Sequence, residues 1–366
     1  MKKIAFLISD QHLIPHGGIG SFCKSFCEMQ KDLNNEVHIV VDKKPTDSFV
    51  NSIIDVFGPI KLKYNDKALS YSTHQSIYMY NEGVNFEKII NFQKIILELL
   101  ENHHYDYIVV NSQEAFAAIA TIDTKCPIIL YTHLYKQIYP ESNFKDVFLP
   151  AYHKFYGQFL QMDHLIVGTQ TEQNKQRLLE HGSTNVKVLP MPMSERQLLV
   201  PNTGTRKGVL FIGRWEAGKN PETYVKVMKE TKLPCKVMTN SNGAKKFIKA
   251  FADAGITDYE IKTSITGHEK VDFIKSCKVS FNCSLIENYA FAFLECVGHM
   301  PVVVLDNQLW SNNFDSRFYT KVNATVAIDT IKQLYNGTYT DDALEYVKQL
   351  DKNAIDSWAL CDTETP

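Results

Sequence analysis

The chain has 366 residues, which is too many for one compact core and suits two α/β domains. Hydrophobic residues make up 44% and charged residues 22%, as in an ordinary globular protein. The net charge of -2 excludes a global field that would draw the chain to nucleic acid or to an acidic membrane, although a local basic cleft can coexist with this total.

The cysteines and the apolar segments of the sequence bear on metal binding and on where in the cell the protein is located. None of the eight cysteines forms a CxxC pair or a zinc-binding spacing. The apolar run at residues 4–8 is too short for a signal peptide, and no small-residue cleavage site follows it. Because no stretch approaches the length of a membrane span, we expect no transmembrane segment and a cytoplasmic protein.

The first predicted elements form a β-loop-α-β unit, with strands at residues 4–8 and 37–41 and a helix at 21–33. Such a unit opens a doubly wound parallel sheet. The loop before the helix contains Gly17, Gly18 and Gly20, which is an incomplete dinucleotide fingerprint. Glycines there let the backbone approach a ligand closely. A plain strand-to-helix turn is the alternative interpretation.

A histidine follows a later strand of the same predicted sheet. The strand at residues 127–131 ends in Thr132 and His133. Ligands of parallel sheets gather at the carboxyl ends of the strands, so His133 is a candidate site residue. The alternative is a partly buried histidine that is bonded to the backbone.

A second α/β half follows a linker at residues 201–205. Its first strand, at 209–212, runs into a glycine-containing loop that carries Arg214 and Lys219, and a helix at 222–230 comes next. Two cations in such a loop suit a diphosphate. A solvated basic loop is the alternative.

The stretch from residue 283 to 305 contains the main candidate site residues of this second half. Glu287 and Glu295 stand eight positions apart, and a helix turns 100° per residue, so they cannot be one tight acid pair on a single helix. We expect Glu287 in a loop, Glu295 two turns into a helix, and a buried strand at 302–305. The helix start would be an anion site. An ordinary core helix with two surface carboxylates is the alternative.

These motifs, in this order, resemble those of retaining GT-B glycosyltransferases, especially the large family 4. The resemblance implies an α/β fold of two Rossmann-like domains that face each other across a cleft. The sequence departs from the family pattern at Asn288, Tyr289 and Ala290, where a Phe-Gly pair is usual after the first Glu. It departs again at Met300, where Gly usually precedes the Pro.

The resemblance also implies roles for individual residues. Arg214 and Lys219 would stabilise the leaving diphosphate, Glu287 would orient the sugar, and Glu295 would hold the ribose. His133 would lie beside the reacting carbon, and the GGxG loop would border donor and acceptor. The implied catalytic residues are His133, Glu287, Arg214 and Lys219, and the implied donor-binding residues are Gly17, Gly18, Gly20, Arg214, Lys219, Glu287, Asn288, Tyr289, Ala290 and Glu295.

The predicted organisation is an acceptor-side domain at residues 1–200, a nucleotide-sugar-binding domain at 205–345, and a segment at 346–366 that crosses back to the first domain. No Asp-x-Asp metal motif occurs, so we expect a metal-independent enzyme without a cofactor. Its co-substrate would be a nucleotide-diphosphate sugar, and we expect a UDP-sugar. The transferred group would be a hexose or a pentose.

The sequence leaves the acceptor open, and it also leaves other functions open. The compact chain and its motif departures look similar to phage enzymes that glycosylate 5-hydroxymethylcytosine in double-stranded DNA, which places that acceptor slightly ahead. Such an enzyme would work in the host cytoplasm. Lys24, Lys136, Lys154 and the group at 245–249 are candidate phosphate contacts. The alternatives are a glycosyltransferase of surface polysaccharide, glycolipid or protein glycan synthesis, a sugar-phosphate epimerase of GT-B fold, and a non-catalytic nucleotide-sugar-binding protein.

Overall fold

The structure is a computed structural model. It describes residues 1–8, 18–41, 61–63, 86–111, 113–120, 122, 124–132, 158–193, 195–201, 204–285, 287, 289–306, 309–337 and 342–360.

The chain folds into two compact units. The first comprises Met1–Pro192 together with Asn353–Pro366, and the second is Met193–Lys352. Each unit is built around one sheet, and every strand pairing recorded in the two sheets is parallel. The assignment of acceptor and donor roles to the two halves stays a prediction.

The first unit contains a seven-stranded sheet in the order β3-β2-β1-β4-β5-β6-β7. Its strands are β1 Lys3–Ile8, β2 Glu36–Val41, β3 Lys61–Lys63, β4 Tyr107–Val110, β5 Ile128–Tyr131, β6 Ile166–Thr169 and β7 Val186–Val188. Its helices in the described ranges are α1 Gly18–Asp32, α2 Phe86–Asn102, α3 Gln113–Ala120 and α4 Glu172–Glu180, with a short 3-10 helix at Gln158–Gln161.

The second unit contains a six-stranded sheet in the order β10-β9-β8-β11-β12-β13. Its strands are β8 Val209–Ile212, β9 Cys235–Thr239, β10 Tyr259–Thr263, β11 Val279–Asn282, β12 Val302–Leu305 and β13 Thr320–Val322. Its helices are α5 Pro221–Thr231, α6 Ser241–Ala254, α7 Gly267–Lys275, α8 Phe291–Val297 and α9 Ala327–Asn336. Short 3-10 helices lie at Arg196–Leu199, Ala217–Lys219, Leu309–Asn313 and Ser316–Phe318.

The central strands are continuous apolar runs because helices cover both faces of a parallel sheet. All four residues of β4, β5 and β12 are buried. The strand order reverses direction between β1 and β4 in the first sheet and between β8 and β11 in the second. Loops that leave the carboxyl ends of two such strands diverge and leave a crevice, which is where ligands of these folds bind. In the second sheet, the loops after β8 and β11 are therefore the expected location of a ligand site.

A long final helix, α10 Asp342–Leu360, runs through both units. Its residues up to Lys352 belong to the second unit, and those from Asn353 belong to the first. In the first unit Trp358 is fully buried among Phe22, Phe26 and Tyr131, at ring-centroid distances of 6.1, 4.9 and 5.6 Å. Its indole N–H donates to the Pro190 carbonyl at 2.9 Å. The helix end is therefore part of the first unit's core.

Trp358→Ala is expected to lower the free energy of unfolding of the first unit by about 3–5 kcal/mol, because it removes a fully buried aromatic side chain and leaves a cavity. Urea titration of the full chain measures the change. Asp356→Ala is the matched control, since Asp356 lies on the same helix and is exposed. A loss no larger for Trp358→Ala than for Asp356→Ala would show that the end of α10 contributes little to this core.

Candidate functional site

The loop after β8 is shaped by local backbone signals that place Lys219 at its end. The 3-10 helix Ala217–Lys219 is followed by Asn220, whose φ of 51° lies in the left-handed region, where Asn is tolerated better than most residues. Pro221 then occupies the first position of α5, for which its fixed φ is suited. This sharp turn ends the loop and fixes the backbone from which the Lys219 side chain extends.

The loop after β11 is fixed by side chains on both sides of it. The Asn282 side-chain oxygen accepts from the Ser284 amide at 3.0 Å, and the Trp310 indole N–H donates to the Ser284 carbonyl at 3.0 Å. Trp310 is buried, so its N–H needs a partner, and the loop carbonyl supplies it. The Leu285 amide donates to the Gly218 carbonyl at 2.8 Å. The loops after β8 and β11 are thus tied together at the point where the strand order reverses.

Lys219 and Glu287 form an ion pair across these two loops. The side chains are 25% and 13% exposed, so the pair lies at the surface of the unit but is largely withdrawn from water. Gly213 makes room for it, because a Cβ at that position would lie 3.2 Å from Lys219 Cγ and 3.3 Å from Phe211. Lys219 and Glu287 are therefore in direct contact, although they are 68 positions apart in the sequence. The sequence resemblance assigns them to different parts of a donor.

Arg214 lies in the same loop as Lys219 but on its exposed side. Its guanidinium pairs with Glu216 at 3.1 Å, and the two side chains are 64% and 47% exposed. An exposed pair of this kind contributes little to stability, so the guanidinium is available to turn toward an anionic ligand. In the described ranges, no ion pair joins Arg214 to Glu287.

Glu295 is placed differently from the sequence prediction. Helix α8 begins only at Phe291, so Glu295 lies just over one turn into it rather than two. The Glu295 side chain is 4% exposed, and its carboxylate pairs with Lys270 of α7 at 2.5 Å. Its predicted contact with a ribose stays a prediction.

The predicted anion site at the start of α8 stays a prediction. The amides of Phe291, Phe293 and Leu294 already donate to carbonyls of Tyr289 and Ala290. The helix also has only seven residues, which is too short to build a full dipole. The cationic side chains of the β8 loop are therefore stronger candidates for contacting an anion than this helix start is.

Tyr289 and Ala290 belong to the core of the second unit. The Tyr289 ring lies 5.6 Å from that of Phe291 and 6.1 Å from that of Phe314, and burial raises the pKa of its phenol well above its usual range. Ala290 is buried. Their predicted donor contacts stay predictions, and Ala290, whose side chain is one buried methyl, could make such a contact only through its backbone.

In the first unit, the structure describes only some of the predicted site residues. Gly18 and Gly20 lie in the first turn of α1, which begins at Gly18 and not near residue 21, so they are helical rather than part of an open loop. Gly17 and His133 lie outside the described residues, as does Asn288 of the second unit. Just before His133, Thr132 is fully buried, and its hydroxyl donates to the Gly168 carbonyl at 3.0 Å.

Two residues of this site have no distinguishing signal in the sequence. Trp310 supports the β11 loop from a segment with no regular periodicity, and Lys270 is one of two lysines on α7. Their importance comes from contacts over 26 and 25 positions of sequence, which local patterns do not encode.

The described residues also bear on metals and membranes. In the part of the chain that the structure covers, no group of three or more His, Cys, Asp and Glu side chains is placed to hold a metal ion. No helix within the described ranges has both the length and the apolar character needed to cross a membrane.

No protein family and no curated protein matches the chain in sequence. Solved structures do match its fold. Sucrose-phosphate synthase from Thermosynechococcus elongatus is 12% identical with a TM-score of 0.71, over 98% of this chain and 94% of that one. Anabaena HepE, solved with UDP and glucose, is 12% identical with a TM-score of 0.71, over 98% and 100%. A variant of S. aureus TarM, solved with UDP and α-GlcNAc-glycerol, is 12% identical with a TM-score of 0.72, over 100% of both chains.

These matches extend over the whole chain, and they confirm the predicted fold class. The protein has the α/β architecture of the GT-B glycosyltransferases, with two Rossmann-like units. At 12% identity the likeness establishes the fold alone.

Proposed function

We propose that the protein is a glycosyltransferase that takes a sugar from a nucleotide-diphosphate donor. The observation that carries this proposal is the Lys219–Glu287 pair at the switch point of the second sheet. A cation and a carboxylate in contact there suit a donor whose diphosphate and sugar are adjacent. The fold supports the proposal, since solved proteins with this architecture include complexes with UDP.

The donor would lie along the carboxyl edge of the second sheet. Its diphosphate would meet Lys219, and Arg214 would leave Glu216 to join it. Glu287 would accept hydrogen bonds from the sugar hydroxyls, and Glu295 would accept from the ribose. The nucleotide base would lie against the turn that starts at Thr266. His133, Asn288 and the glycines at 17, 18 and 20 complete the set as residues predicted from the sequence resemblance.

The chemical step that this arrangement supports is a substitution at the anomeric carbon. The bond from that carbon to the diphosphate oxygen breaks, and its electron pair leaves with the diphosphate. The acceptor hydroxyl oxygen forms the new bond on the same face, which retains the anomeric configuration, and the hydroxyl proton passes to the departing diphosphate. Lys219 would stabilise the charge that develops on the leaving group. We propose that the step needs no metal ion, because the two cationic side chains take that place.

For the acceptor, we propose 5-hydroxymethylcytosine in double-stranded DNA. The support is the likeness of the motif departures at 288–290 and Met300 to phage enzymes of that kind. The basic residues considered for phosphate contact add little, because Lys24 lies 3.9 Å from Glu28 and Lys249 lies 2.8 Å from Asp253. The lysines at 136 and 154 lie outside the described residues. A glycan or lipid acceptor is the competing outcome.

Labelled sugar transfer tests both parts of the proposal. The full chain is incubated with a panel of labelled nucleotide sugars, and with duplex DNA that contains 5-hydroxymethylcytosine or, as a matched control, the same duplex with cytosine. We expect label only in the modified duplex, and NMR of the product should show the anomeric configuration of the donor. Label in glycan or lipid acceptors but not in DNA would overturn the acceptor, and an inverted product would overturn retention.

A further inference from the structure

The carboxylate of Glu295 is buried together with a lysine from another helix. The Glu295 side chain is 4% exposed, the Lys270 side chain is 12% exposed, and the two charged groups are 2.5 Å apart. Burying a carboxylate without a partner is costly, and an adjacent ammonium offsets much of that cost. Lys270 therefore supplies the opposite charge beside the Glu295 carboxylate.

Helix α7, which carries Lys270, is held at both ends by the segment that precedes β8. At its start, the Gly267 amide donates to the carboxylate of Glu195 at 3.3 Å, where a negative charge is also favoured by the helix dipole. At its end, the Lys275 ammonium donates to the Gln197 carbonyl at 2.9 Å. Between them, Val271 and Ile274 are buried. Lys270 thus extends from a backbone whose position is fixed, and it can hold the Glu295 carboxylate in one orientation.

We propose that Lys270 is a positioning residue for the donor's ribose, and that it acts through Glu295. This rests on the proposed function, in which Glu295 accepts hydrogen bonds from the ribose hydroxyls. A carboxylate accepts strong hydrogen bonds from hydroxyl groups, and a fixed orientation keeps its oxygens on the ribose. Lys270 thereby sets the preference of the site for a ribonucleotide over its 2′-deoxy counterpart.

The test compares the dissociation constants of ribonucleoside diphosphates and their 2′-deoxy forms by titration calorimetry. Loss of a hydrogen bond to a charged group corresponds to about 10–100-fold in affinity, which is the preference expected of the native protein. Lys270→Met should reduce that preference to less than about threefold, and Lys270→Arg, which keeps the charge, should restore most of it. A ratio of two affinities measured on one variant does not respond to a general loss of stability.

Lys226→Met is the matched control, because it makes the same chemical change at an exposed lysine of the same unit, on α5 rather than on α7. It should keep the native ratio. If Lys270→Met does not fold, Lys270→Gln removes the charge and keeps a donor, and it should lower the ratio in the same direction. A Lys270→Met protein with the native ratio, or a native protein without any ribose preference, would overturn the proposal. A native protein that binds none of the diphosphates would instead overturn the proposed function.

Discussion

Replacing Lys219 with alanine is expected to lower the turnover of sugar transfer by about 10²–10³-fold, the loss typical when one group that stabilises developing charge is removed. The reason is local. Lys219 is held at the end of the β8 loop by the turn at Asn220 and Pro221, next to the Glu287 carboxylate. A cation in this place stabilises the diphosphate more as it leaves than while it is bound. Turnover should therefore fall more than affinity for the donor.

The loss should be specific to the position of the charge. Lys226→Ala is the matched control, since Lys226 is exposed on the helix that follows the same loop. It should transfer sugar at the native rate. The free nucleotide diphosphate should bind Lys219→Ala more weakly than it binds the native protein, which calorimetry measures. Equal rates for the two variants would show that the β8 loop does not act on the leaving group.

Glu287→Gln is expected to lower turnover by about 10²-fold through a different part of the donor. Glutamine keeps the size of the side chain but removes the charge that pairs with Lys219 and would accept from the sugar hydroxyls. Because Glu287 acts on the sugar while Lys219 keeps its charge, the affinity for the free nucleotide diphosphate should change less than the affinity for the whole donor. The affinity for the whole donor should fall.

The pair also predicts a coupling between the two substitutions. Because the side chains are in contact, the double variant Lys219→Ala, Glu287→Gln should lose less than the product of the single losses. Glu230→Gln is the control for the loss of a carboxylate, as Glu230 is exposed near the end of α5. Losses that multiply independently would mean that the two residues serve separate sites.

The strands that are continuous apolar runs and the helices with a regular apolar spacing could be predicted well. The apolar runs that form β1, β8 and β12 and the helix of residues 221–231 follow from local patterns, because a buried strand must be apolar on both faces. The start of α1 differs from its prediction because two glycines indicate a loop, yet the structure accommodates them in the first helical turn. Glycine is a weak helix former, not an excluded one.

The residues of the site could be predicted from the sequence, but the contacts between them could not. The spacing of the motifs singles out Arg214, Lys219, Glu287 and Glu295. The pairing of Lys219 with Glu287 is a consequence of the strand order, which brings the loop after β11 beside the loop after β8. The pairing of Glu295 with Lys270 joins two helices, α8 and α7. No local pattern distinguishes Lys270 from its exposed neighbours, since the packing of α7 alone decides which lysine is turned inward.

The claim that this site turns over a donor is tested most directly by measuring the release of nucleotide diphosphate. The native protein and Lys219→Ala are each incubated with a panel of nucleotide sugars. We expect the native protein to release the diphosphate from at least one donor in the absence of added metal, and faster when an acceptor is present. Lys219→Ala should release it about 10²–10³-fold more slowly. Native protein that binds a nucleotide sugar but never releases its diphosphate, with any acceptor, would contradict the account and identify a binding protein instead.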